Sequence, residues 1–452
     1  MKVTAFIPPK HFKRIQYTLS ILLESWLGLE VSYKNDDENQ TTLEINDKKL
    51  IFRDYFFDRA NDLAYLLKQL DRGFRLDLQH YFKTAEVLEE KIPVLFGPEE
   101  NIPLLCIDDN AIEINGDVLG SAFFLLTGYE SKLHNRTGQY VRLFARDSLI
   151  KEYLHRPLVN EYAELLKQLL NILLPGLQFK TRKFHIIPTH DVDHPFEYYD
   201  LRYIYLLQRL AGDAFLRKKI DSHRVGVFKK VNKREIPDAY DTFNWIFEKE
   251  RDAGVNSICY FFAGEFALNN PDYRLNDKSI QQLAERVTSA GHEVGIHLGL
   301  KTSTNLSNML KEKEQFLKIM NMERISYSRQ HFLDFVSPIT WRLLSNCCIA
   351  IDSSSAFPDR PGFRNGSCYP YQVYDYEEDQ ILPLIEMPLV FMEGSLLDKI
   401  YMGLCYEDAR GYIDDLRTTV KRYNGDFVFL WHNHRLIKKE DRELFCHTLG
   451  LK

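Results

Sequence analysis

The chain has no run of residues long and apolar enough to cross a bilayer. Its apolar segment 15–31 contains Glu24 and Glu30 and reads as an amphipathic helix. Residues 1–10 show neither the apolar stretch nor the cleavage site of an export signal. Cysteine is scarce: the seven are scattered, Cys347-Cys348 is the only adjacent pair, and no C-x-x-C occurs. That pattern argues against a disulfide framework and for free thiols in a reducing compartment. There is no excess of positive charge either. The net charge is −6, which leaves no general electrostatic case for binding nucleic acid. One stretch, 217–234, is locally basic, with Lys218, Lys219, Arg224, Lys229, Lys230 and Lys233. It reads as a solvated face, or as a contact for phosphate or an anionic head group. Repeats and low-complexity tracts are missing as well. These absences together predict a cytoplasmic protein with no transmembrane segment.

What is present fits a soluble protein of two or three domains, with 45% hydrophobic residues in 452. Up to about residue 175 the pattern is mixed. Helical periodicity at 11–27, 61–70, 117–128 and 158–174 is interspersed with short β-like runs at 29–33, 42–45 and 50–52. Pro175-Gly176 then breaks the chain. We therefore expect an α+β domain at 1–177 and a second domain at 178–452. In the second, candidate strands at 184–189, 257–262, 292–296, 325–328, 348–352, 384–388 and 426–431 alternate with helical stretches. The helices are expected at 242–252, 278–290, 305–320, 338–346 and 406–422. Strand–helix alternation predicts a parallel sheet with helices outside it, closed like a barrel or open.

Ionisable residues recur where these strands end. Thr189-His190-Asp191-Val192-Asp193-His194 follows the first strand and Gly264-Glu265 the second. His297 closes the third, Arg329 and His331 follow the fourth, and Asp352 closes the fifth. Glu386 sits in the sixth, and His432 ends the seventh. In a parallel α/β fold these ends gather on one face, where the chemistry is done. A catalytic metal needs about three protein ligands and an open position. Asp193 and His297 are the natural first two. Asp191 is placed to take a proton from water, Arg329 to hold that base ionised and oriented, and His432 to protonate a leaving amine.

These segments resemble the polysaccharide deacetylase family, carbohydrate esterases with a NodB-type domain, over roughly residues 180–435. Five motifs carry the resemblance: Thr189-His190-Asp191-Val192-Asp193, the stretch from Gly291 to His297, Arg329-Gln330-His331, Ile351-Asp352-Ser353-Ser354, and Leu430-Trp431-His432. The resemblance implies a distorted (β/α)7 barrel and removal of acetyl groups from N-acetylated sugars. It assigns Asp191 as base, Asp193 and His297 as metal ligands, Arg329 as the residue steadying the base, and His432 as general acid. Zinc is the expected metal, and an N-acetylated sugar or glycan the expected partner.

Two positions depart from the family pattern. Where a second metal-binding His is usual, four residues after His297, this chain has Lys301. Where the third motif usually has Pro, it has His331. We expect His331 to replace the lost ligand. His190 and His194 are rivals that strand alternation would turn away from the side chains of Asp191 and Asp193. Relatives of this barrel also cleave other C–N bonds without metal. A metal-independent amide hydrolase and a non-catalytic carbohydrate-binding barrel are therefore the alternatives. The first part resembles an uncharacterised domain that precedes bacterial deacetylase barrels and belongs with surface-polysaccharide pathways, most visibly over residues 120–130. Between the fifth and sixth strands, Phe357, Phe363, Tyr369, Tyr371 and Tyr374 surround Arg364. They either pack a long loop onto the barrel or offer aromatic faces to a sugar. Arg364, Tyr369 and Trp431 are the candidate substrate-binding residues.

Overall fold

A computed structural model describes residues 2–78, 88–108, 110–134, 142–199, 222–264 and 273–451. Glu265 and residues 217–221 of the basic stretch lie outside the described residues. The strands in chain order are β1 (Lys2–Ile7), β2 (Glu30–Asn35), β3 (Thr41–Ile45), β4 (Lys48–Phe52), β5 (Arg75–Asp77), β6 (Lys91–Pro93), β7 (Leu105–Ile107) and β8 (Ala111–Ile114). They continue as β9 (His185–Val192), β10 (Ile258–Phe262), β11 (Glu293–Leu298), β12 (Tyr327–Gln330), β13 (Ile351–Asp352), β14 (Tyr371–Asp375), β15 (Gln380–Glu386), β16 (Phe391–Met392) and β17 (Asp426–Leu430).

The first part builds a six-stranded mixed sheet in the order β2-β1-β3-β4-β8-β7, beside the small hairpin β5-β6. Its helices lie near the expected positions, at Phe12–Leu19, Leu63–Arg72, Val118–Leu126 and Leu158–Leu173. The first of these runs on as a π-helix over Ser20–Trp26. The helix Val118–Leu126 is apolar on every side and buried throughout. Asp117 caps it by accepting from the Gly120 amide at 2.6 Å. Strands β1, β7 and β8 are not among those expected; β7 and β8 are only three and four residues long.

The second part forms a nine-stranded sheet in the order β14-β15-β13-β12-β11-β10-β9-β17-β16. Every neighbouring pair is parallel except β14 with β15. All seven expected strands are present, as β9 to β13, β15 and β17. In β10 and β17 the apolar runs are continuous, Ile258-Cys259-Tyr260-Phe261-Phe262 and Phe427-Val428-Phe429-Leu430, because both faces of the sheet are covered there. Alternate residues separate into two clusters. Cys259, Phe261, Phe427 and Phe429 join the large core that includes the surrounding helices. Ile258, Tyr260, Val428 and Leu430 meet Met387 and Leu389, with Tyr327 and Ile351 packed against them. Residues from β10, β12, β13 and β17 share this second cluster, so the sheet curls around it. The ladder does not close among the described residues, since β14 and β16 remain as edges. The architecture is thus a mixed α/β fold with a curled, open parallel sheet.

The two parts share one continuous apolar core. Tyr17 packs on Tyr374 with ring centroids 4.8 Å apart, and Tyr129 on Tyr376 at 4.7 Å. Across the same junction, Asn365 Nδ2 donates to the Leu125 carbonyl at 3.0 Å. The Cys368 amide donates to Asn160 Oδ1 at 2.9 Å.

Candidate active site

Strand β9 carries the acidic pair. It pairs with β10 on one side and β17 on the other, so Asp191 and Asp193 emerge at the end of an interior strand. Asp191 is buried and Asp193 nearly so. Their neighbours come from the C-terminal ends of β11, β12 and β17. His297 Nε2 lies 3.6 Å from Asp191 Oδ2 and 3.4 Å from Asp193 Oδ1. His331 Nδ1 is 3.7 Å from Asp193 Oδ1 and 3.1 Å from His297 Nε2. His432 Nε2 faces Asp193 Oδ2 at 3.6 Å.

One ligand atom each from Asp193, His297 and His331 falls within a 4.8 Å cluster. The donors suit a borderline cation such as Zn²⁺: two imidazoles and a carboxylate. His297 Nδ1 lies 3.0 Å from the Arg329 carbonyl oxygen, which can only accept. Nδ1 therefore carries a proton, and Nε2 is the nitrogen turned to the cluster, as metal-binding imidazoles are commonly oriented. Asp193 Oδ1 is buried and has no hydrogen-bond partner, which also suits a ligand atom. Lys301 is exposed in a turn after β11 and lies outside the cluster. His194 turns its ring towards His434, 5.2 Å between centroids, and is also outside it.

The turn that presents His331 is unusual. Phe332 and Leu333 both have left-handed backbone, with φ of 57° and 53°. For residues other than glycine this costs about 1–2 kcal/mol each. Such strain persists where the surroundings hold it, and here Leu333 is anchored in the apolar cluster inside the sheet.

Arg329 is fully buried beside the pair. Its Nη1 is 4.0 Å from Asp191 Oδ1, an ion-pair distance and not a hydrogen bond. Nη2 is held at 3.1 Å by each of the Thr189 and Ser353 hydroxyls. The guanidinium also lies over the Tyr260 ring, 4.8 Å from its centroid. Gly295 makes room for that ring. A Cβ there would meet Tyr260 Cδ1 at 2.6 Å, which explains a glycine inside β11.

His432 has a partner that the sequence does not advertise. Glu393, wholly buried at the start of the helix Glu393–Leu397, places Oε1 2.7 Å from His432 Nδ1. Arg435 Nε reaches the same oxygen at 3.1 Å. Burial alone would depress the imidazole, but Glu393 and Asp193 outweigh it and hold His432 well above its ordinary value. Burial likewise pushes Glu393 up, and His432 and Arg435 overcome this to leave it lowered. Burial also opposes ionisation of Asp193, yet its imidazole neighbours, His432 foremost, draw it below the carboxylate range. Glu393 and His432 are 39 residues apart, so no local motif announces the pair.

The three candidate substrate contacts are not brought to this cluster. Arg364 is buried between Phe335 and Phe357, 5.2 and 5.0 Å from their centroids, and donates to the Ala356 carbonyl. Burial lowers it to about 10. It anchors the segment that the first part of the chain covers. Tyr369 stacks under Arg182 at 4.2 Å and packs on Trp26, at the end of the sheet where β9 and β17 begin. Trp431 is fully buried and packs against Phe445 of the helix Lys439–Thr448, in the outer layer. Residues 371–375, read as loop, are the antiparallel edge strand β14. The aromatic content of this segment is core.

Residues 4–175 match a family model described as a family of unknown function (DUF7033). No protein of curated function matches the chain in sequence. Among solved structures, the chain is similar to a protein from Mycobacterium smegmatis assigned by its description to the polysaccharide deacetylases. Identity is 14%, 61% of this chain and 85% of that one are covered, and the TM-score is 0.39. A second, from Pseudomonas aeruginosa PAO1 and described in the same terms, gives 9% identity, 60% and 84% coverage and a TM-score of 0.38. The Puue allantoinase gives 9%, 61% and 85%, and 0.37. Likeness this distant carries no weight for activity, which is read from the side chains.

Proposed function

We propose that this protein is a metal-dependent hydrolase that removes an acetyl group from an N-acetylated sugar of a glycan or glycan precursor. The observation that carries this reading is the convergence of Asp193, His297 and His331, with Asp191 and His432 against the same cluster. A Zn²⁺-like ion held by those three would polarise the acyl carbonyl and acidify a water.

The protein's own groups do the rest. Asp191, with a buried Oδ1 that lacks a hydrogen-bond partner, takes a proton from the attacking water. Arg329, fixed by Thr189 and Ser353, keeps a positive charge beside that carboxylate through the reaction. His432, protonated and oriented by Glu393, gives its Nε2 proton to the departing nitrogen as the C–N bond breaks. Water and amide thus become carboxylic acid and amine. Zinc analysis of the purified protein, then a screen for acetate release from N-acetylated sugars, tests this. Protein that binds no divalent metal yet hydrolyses an amide would replace it with the metal-independent reading.

A further inference from the structure

The residue preceding the base has its own buried partner. His190 points to the face of β9 opposite Asp191 and is wholly buried. Its Nδ1 lies 2.7 Å from the Trp431 carbonyl oxygen, and its Nε2 lies 2.7 Å from Glu250 Oε1. The carbonyl can only accept, so Nδ1 carries a proton. Glu250 is also fully buried, in the helix Phe243–Asp252, and its other oxygen accepts from the Ser257 hydroxyl at 2.7 Å. The Ser257 amide in turn donates to His292 Nδ1 at 3.0 Å. A buried network satisfied in this way is rigid, and its loss leaves groups unpaired.

Position gives this network its meaning. The ladder between β9 and β17 runs from His185↔Asp426 to Thr189↔Leu430 and ends with the Trp431 amide donating to the Thr189 carbonyl at 2.9 Å. Two residues beyond the Thr189↔Leu430 pair come Asp191 and His432, the proposed base and acid. At their level the strands have no further backbone bond, and the His190 side chain supplies the crosslink. We infer that His190, braced by Glu250, is a positioning residue that fixes the separation of Asp191 and His432. The inference rests on the acid and base roles proposed above.

Two measurements test it. The first needs no substrate: hydrogen–deuterium exchange at the Trp431 and His432 amides. His190→Phe and Glu250→Ala should raise it. His190→Asn, which can still donate to the carbonyl, and Glu250→Gln, which keeps a polar partner for Nε2, should bring it back towards wild type. The second is turnover of chitotriose by the zinc-loaded protein. The disruptive pair should lower kcat about 10–100-fold, the loss expected for a displacement near 1 Å. KM and zinc affinity should stay unchanged, and the conservative pair should recover. Unaltered exchange in both disruptive variants overturns the crosslink. Raised exchange with full kcat overturns its role in catalysis. Wild-type protein inert on N-acetylated sugars, with exchange responding as expected, sinks the deacetylase reading and leaves the crosslink standing. If His190→Phe does not fold, the two Glu250 variants make the same comparison.

Discussion

His432 Nδ1 and Glu393 Oε1 lie 2.7 Å apart, and the opposite edge of the same imidazole faces Asp193 at 3.6 Å. A buried carboxylate on one nitrogen fixes which way the ring presents the other, and it favours the charged form. General-acid chemistry needs that form. Because His432 is held above its ordinary value despite burial, its proton is kept to higher pH than a free imidazole would keep it. Glu393→Gln should therefore shift the alkaline limb of the pH–rate profile to lower pH and reduce kcat, with zinc affinity retained. The stability gained from this pair is complete below the unfolded pKa of about 6.5 and is lost as pH rises through the folded value. An alkaline limb that stays where it was would remove Glu393 from the reaction.

Asp191→Asn and His432→Ala should each cut turnover by about 10²–10⁴-fold while circular dichroism shows the fold retained. Asp191→Asn keeps the side chain's volume, and His432 lies just past the end of β17, so the sheet itself is left intact. Near-normal turnover in both variants would require another acid–base pair.

Zinc titration separates the ligand sets. His331→Ala removes one of three converging donors and should weaken affinity by more than the roughly 10–100-fold typical of losing a mere supporting hydrogen bond. His194→Ala should leave affinity intact, since its ring sits against His434. Equal, unaltered affinity in the two would rule out His331.

Residues 178–452 made alone would expose Tyr374 and Tyr376, which in the whole chain pack on Tyr17, Phe123 and Tyr129. That fragment should aggregate, and co-expression with residues 1–177 should recover soluble protein. A monomeric fragment with wild-type melting temperature would show that the junction adds nothing to stability.

The strand–helix rhythm after residue 180 was legible because strands such as β10 and β17 are apolar on both faces and the helices between strands are amphipathic. For the same reason Asp191, Asp193, His297, Arg329, His331 and His432 stood out as polar residues where apolar runs stop. For the aromatic segment 357–374 the sequence left two readings open, packing of a long loop or a platform for a sugar. Composition does not distinguish a ring facing a ligand from one facing another part of the chain, and here the first part of the chain covers it. Strand β1 was missed because its partners come from residues 30–35 and 42–44, on separate turns of the chain.

The sequence by itself determined the order of the seven expected strands after residue 180 and the kinds of donor available at their ends. These follow from periodicity and side-chain chemistry, which are local. Only the tertiary structure decided that His331, and not His194 or Lys301, lies with Asp193 and His297. It also decided that Glu393 stands behind His432, that Glu250 stands behind His190, and that the sheet stays open at β14 and β16. Those pairings join residues 34 or more positions apart, where the curl of the sheet, and not the spacing along the chain, sets what meets.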